Sequence, residues 1–81
     1  MTTKTDVNLI AADMVEVVIR ARSKYPAFNS PHEGYAVLLE EVTELQAEVF
    51  KKKEHRDMKN MRKEAEQIGA MAIIFIQDCC E

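Results

Sequence analysis

The chain has 81 residues, a formal net charge of −3, and a composition 47% hydrophobic but only 6% aromatic, with no Trp, two Gly and two Pro. A lone domain of this size buries only about 60% of the surface its unfolded chain exposes, and so few aromatic and turn residues favour helices packed through aliphatic side chains over a turn-rich β-fold. The acidic balance argues against broad affinity for nucleic acid polymers.

The N-terminal MTTKTDVN has neither the basic nor the apolar region of a secretory leader. The longest apolar run, IGAMAIIFI at residues 68–76, is nine residues long and too short to cross a bilayer. Cys79 and Cys80 are adjacent, which disfavours an internal disulfide between them. These features give the expectation of a cytoplasmic chain with no membrane partner.

In chain order, the first helix is expected from about Asp6 to Ser23, with Val7, Ile10, Ala11, Met14, Val17, Val18 and Ala21 on one broad apolar face. The loop KYPAFNSP follows, punctuated by Pro26, Asn29 and Pro31. Ser30 suits the N-cap of a second helix, Pro31 its first position, and Glu33 completes a capping box. That helix is expected to reach about Lys52, with Lys51 to Lys53 at the negative end of its dipole. Asp57 suits the cap of a third helix from Met58 to near the C-terminus.

The third helix carries an expected buried stripe of Met61, Ala65, Ile68, Ala72, Phe75, Ile76 and Cys79. Ala70, Ile73 and Ile74 make its second half apolar nearly all round, the pattern of a helix covered on every side. Three helices cannot enclose one of their own members, so the expected architecture is an all-α, antiparallel three-helix bundle completed by a second copy of the chain. All 81 residues form one domain in this reading.

The second helix holds the chemistry-bearing pattern, LLEEVTELQAEV. At about 100° per residue, Leu38, Val42, Leu45 and Val49 share a stripe, while Glu41, Glu44 and Glu48 line its flank. Acidic residues on helices usually mark a solvated face; Glu48 suits an i,i+4 pair with Lys52, and Glu40 suits open water. Glu41 and Glu44, however, lie at the edge of the apolar stripe and point along a helix seam. Glu64 flanks the stripe of the third helix, with Gln67 three residues on. Two helices joined by a short basic turn run antiparallel, which would bring these four side chains to face one another. Converging carboxylates repel and resist ionisation unless a cation neutralises them, and an oxygen-only donor set suits Mg²⁺ or Mn²⁺.

Glu40-Glu41-x-x-Glu44, a gap of 19 residues, then Glu64-x-x-Gln67 resembles the EExxE…ExxD pattern of the all-α nucleoside triphosphate pyrophosphohydrolases, the MazG-like superfamily. HEGYAVLLEEVTEL followed by RKEAEQIGAMAIIFIQD is similar to small MazG-like proteins of bacteria and their mobile elements, and the likeness covers roughly residues 20–78. The resemblance implies an oligomeric helical bundle, dimer or tetramer, that binds Mg²⁺ and cleaves a nucleoside triphosphate between its α- and β-phosphates. It implies Glu41, Glu44 and Glu64 as metal ligands, and Glu40 as a further ligand or the base that activates water. The chain departs from the pattern at Gln67, where a neutral amide stands in place of Asp.

Tyr25, Phe28 and Asn29, with Tyr35 nearby, are candidates to stack on and hydrogen-bond a base, or equally to pack the loop onto the bundle. Arg62 and Lys63 are candidates to contact a phosphate chain, or simply to balance nearby acids. His32 and His55 lack metal-ligand spacing and are expected to face solvent. The expected function is Mg²⁺-dependent, housecleaning hydrolysis of a (deoxy)nucleoside triphosphate. The alternative is a noncatalytic helical oligomer that serves as a nucleotide-binding or protein-interaction module, its metal site degenerate at Gln67.

Overall fold

The structure is a computed structural model that describes residues 5–81. Met1 to Lys4, the first half of the MTTKTDVN segment, lie outside the described residues. Three α-helices account for most of the rest, and no strand occurs among the described residues.

Each helix begins where a short polar side chain replaces a missing backbone partner. Asp6 caps α1 (Val7–Lys24), its carboxylate accepting from the Asn8 N–H at 2.7 Å. This helix stops at Tyr25, which is extended because the following Pro26 disfavours helical backbone before it. Ser30 caps α2 (Pro31–Val49), its hydroxyl accepting from the Glu33 N–H at 3.1 Å, with Pro31 in the first turn. The reciprocal half of the expected capping box is displaced by one residue. Glu33 accepts from the Asn29 N–H and Asn29 Nδ2, both at 3.1 Å, so Asn29 is committed to opening the helix. Asp57 caps α3 (Met58–Cys79), accepting from the Lys59 and Asn60 N–H groups.

The second helix ends at Val49, three residues short of the expected Lys52. The chain turns away through a single 3-10 turn over Lys53–His55, because the turn offers its own partners to the helix end. Arg56 Nε donates to the Val49 carbonyl at 2.9 Å. Glu48 accepts from the Asp57 N–H at 2.9 Å and pairs with Lys51 at 2.8 Å, not with Lys52. Glu48 is therefore a buried joint between α2 and α3 and not a solvated acid.

The third helix is the axis of the fold: α1 and α2 both pack on it and not on each other. Glu48 meets the start of α3, while Gly34, at the start of α2, lies against Phe75 near its end, so these two helices are antiparallel. Contacts from Asp13 to Arg62, from Met14 to the Gly69 backbone and from Arg22 to Asp78 run in step, so α1 is parallel to α3. The result is an up–down–up, all-α arrangement.

The buried centre consists of Ala70, Met71 and Ile74, packed by Val17, Val18 and Ala21 of α1, Val37 and Leu38 of α2, and Phe28 of the connecting loop. This line is rotated from the stripe expected for α3. Ala65 is exposed and Ile76 is 53% exposed, whereas Met61, Ile68, Ala72, Phe75 and Cys79 are half-buried. The reason is that α3 is gripped from two sides, so its most enclosed line falls between its two neighbours. Val7 and Ala11 of the expected α1 face, and Val42 and Val49 of α2, are also exposed. No helix among the described residues is long and apolar enough to cross a membrane.

Candidate metal and substrate site

Glu41 and Glu44 are three residues apart on α2, so both project from one side of the helix. The joint at Glu48 and the Gly34–Phe75 contact fix the antiparallel register, and that register sets Glu64 of α3 opposite them. One carboxylate oxygen from each of the three glutamates lies within 4.8 Å of the other two. Glu41 and Glu64 are half-buried and Glu44 is exposed. Glu64 Oε2 is enclosed and has no hydrogen-bond partner.

Glu41 and Glu64 resist ionisation. Burial first, and then the charges of Glu44 and Glu64, push the Glu41 carboxyl up to about 7. Burial and the neighbouring Glu44 raise Glu64 as well, against a smaller lowering by Lys63. An enclosed, unpartnered oxygen among three crowded carboxylates is a donor set that a divalent cation satisfies, and its all-oxygen chemistry fits Mg²⁺ or Mn²⁺.

Beside the cluster lies a cavity of about 490 Å³. Tyr25, Pro26 and Phe28 of the loop, Val37 of α2, and Met71 and Ile74 of α3 form its apolar wall, while Glu40, Glu41 and Gln67 stand at its polar side. The structure thus brings Glu40, Glu41, Gln67, Tyr25 and Phe28 to one space. Tyr25 is largely exposed and Phe28 half-buried. Asn29 is engaged by Glu33. Arg62 pairs with Asp13 of α1 at 2.8 Å and donates to Glu66 at 3.4 Å. Lys63 lines a separate hollow on the α1 side, which Gln67 also borders. Tyr35, His32 and His55 are exposed.

Two residues not singled out by the sequence shape the loop wall. Arg22 contacts both oxygens of Asp78, at 2.7 and 3.1 Å, and Asp78 also accepts from the Phe28 N–H at 2.9 Å. The Arg22 guanidinium and the Phe28 amide hold the Asp78 carboxyl below its usual range. This clasp ties the loop that carries Tyr25, Pro26 and Phe28 to the end of α3. No local spacing signals it, since Arg22 and Asp78 are separated by 56 positions.

No protein-family model, curated protein or solved structure matches the chain.

Proposed function

We propose that the chain is a Mg²⁺-dependent nucleotide pyrophosphohydrolase that converts a (deoxy)nucleoside triphosphate to the monophosphate and pyrophosphate, in a housecleaning role. The observation that carries this reading is the convergence of Glu41, Glu44 and Glu64, with the enclosed Glu64 oxygen lacking any partner, beside a cavity with an apolar wall. The resemblance of Glu40-Glu41-x-x-Glu44 and Glu64-x-x-Gln67 to the MazG-like pattern supports it further.

In this reading Glu41, Glu44 and Glu64 hold the cation, and the Gln67 amide oxygen is a neutral fourth donor. When bound, Mg²⁺ neutralises phosphate charge and eases deprotonation of water. Glu40 is exposed at the cavity edge and takes the proton of the attacking water, whose oxygen adds to phosphorus as the α–β anhydride bond breaks. Tyr25 and Phe28 offer aromatic surface to a base. The apolar residues left open on all three helices support a homo-oligomer, dimer or tetramer.

Gln67 favours a second reading, a noncatalytic nucleotide-binding module, because an amide supplies no charge to the cation. Pyrophosphate release from a panel of nucleoside triphosphates, with and without Mg²⁺, separates the two. The hydrolase reading expects Mg²⁺-dependent release that Glu44→Gln abolishes while helicity is retained. Nucleotide binding without release from any member of the panel would leave the noncatalytic module.

A further inference from the structure

We propose that the cleft between α1 and α3 is an anion subsite that takes a phosphate chain, held by Arg20 and Lys24 of α1 and Lys63 of α3. That the chain belongs to a nucleotide rests on the function proposed above; the anion binding itself does not. The cleft has a volume of about 430 Å³, and besides these three cations its polar lining is Tyr25, Glu66 and Gln67.

The charge balance inside the cleft is the reverse of that of the whole chain. The molecule carries −3 overall. Here three cations from two helices face a single carboxylate, Glu66, and that carboxylate already accepts from Arg62 at 3.4 Å. Among the described residues, Arg20, Lys24 and Lys63 have no ion-pair partner, whereas Arg22 and Lys51 each have one and Arg62 has two. Arg20 makes only a long hydrogen bond, from Nε to the Glu16 carbonyl at 3.5 Å, which leaves its terminal nitrogens for a ligand. Arg20 and Lys24 lie four residues apart on one side of α1, and packing of α1 on α3 brings Lys63 to the same hollow. Unpaired cations converging on a concavity raise the local concentration of anions.

Adjacency to the carboxylate site selects the ligand. Ala21, Tyr25 and Gln67 border both hollows, so the cationic cleft adjoins the cavity that Glu40 and Glu41 line, with Gln67 between the two sets of charges. Lys63 immediately precedes Glu64 on α3, so the cation and the carboxylate leave the same turn of the helix. A phosphate chain matches this sequence of groups. Its oxygens can share a cation with the carboxylates at one end and accept from ammonium and guanidinium groups at the other. Arg62 takes no part, because Asp13 and Glu66 occupy it.

The test is calorimetric titration of inorganic tripolyphosphate into the metal-free full chain at low and moderate salt. Wild type is expected to bind, more weakly as salt rises. Lys24→Ala with Lys63→Ala is expected to weaken binding about tenfold, while the charge-matched control Lys52→Ala with Lys53→Ala stays within about twofold. All four lysines are exposed, so truncation leaves the core intact. Glu44→Gln should keep this metal-free binding; cleft-dependent binding without any nucleotide hydrolysis would leave the subsite standing and remove the hydrolase reading. A nucleoside triphosphate losing affinity in the cleft variant, beside a nucleoside that does not, would place the chain on a nucleotide. Absence of tripolyphosphate binding, or equal losses in cleft and control variants, would overturn the subsite. So would a glutamate-rich peptide of the same charge binding as tightly, since the cleft would then be a general contact for acidic protein.

Discussion

Glu41 gives up its proton late because burial penalises its charged form, and the neighbouring Glu44 and Glu64 add to that penalty. Its folded value, about 7, lies above the ordinary glutamate value of 4.5 that holds in the unfolded chain. The stability linked to this group is therefore fully present below about pH 4.5 and is lost as pH rises through about 7. Glu64 is shifted in the same direction. Metal-free protein is expected to melt several degrees lower near neutral pH than near about pH 5, where each kilocalorie per mole shifts Tm by about 4–8 °C in a domain this small. Mg²⁺ should offset the loss by mass action on the ionised form, and Glu41→Gln should flatten the metal-free curve. Thermal melts across pH, with and without Mg²⁺, check both statements. Identical pH slopes in wild type and variant would remove the cluster from the pH response.

At the scale of elements, the contact between α2 and α3 depends on Gly34. A Cβ there would lie 2.8 Å from the Phe75 ring and 2.9 Å from the Phe28 ring. Alanine ordinarily gains up to about 1 kcal/mol over glycine inside a helix. Two planar rings cannot both withdraw, so Gly34→Ala is expected to lose about 1–3 kcal/mol net. Gly69 is the comparison. A Cβ there meets Met14 Sδ and the methyl carbon beyond it, the far end of a flexible side chain that can move aside. Gly69→Ala should therefore cost less than Gly34→Ala, read as the smaller drop in urea midpoint. The Gly34 variant should also loosen the loop wall, because Phe28 belongs both to that contact and to the cavity.

For the whole molecule, three helices leave a central helix with two neighbours and an open side. Among the described residues the buried hydrophobic ones are Ala70, Met71 and Ile74, while Ile76 of the same helix is 53% exposed and Phe50 is 76% exposed. So small an enclosed centre, with so much apolar side chain open, supports assembly of copies of the chain. Sedimentation at micromolar concentration is expected to show a dimer or larger species, and Ile76→Glu is expected to shift it toward monomer with loss of helicity. A fully helical wild-type monomer at that concentration would count against assembly.

Helix existence was legible because it rests on local chemistry. Ser30 and Asp57 cap the helices that their positions announce, Asp6 stands at the expected start of the first, and Pro26 stops that helix by acting on its immediate neighbour. The common direction of Glu41 and Glu44 followed from helical spacing alone. The rotation of α3 did not, because residues 68–76 are apolar on nearly every side and periodicity gives such a helix no preferred inner face. The end of α2 was likewise set by partners from beyond the helix, Arg56 and the Asp57 amide, and not by its own lysines. The Arg22–Asp78 clasp, and the gathering of Arg20, Lys24 and Lys63 into one cleft, join side chains distant in sequence. Residue spacing determines what one helix presents along its own length. Which presented groups meet depends on how α1 and α2 settle on α3, and only the tertiary packing decides that.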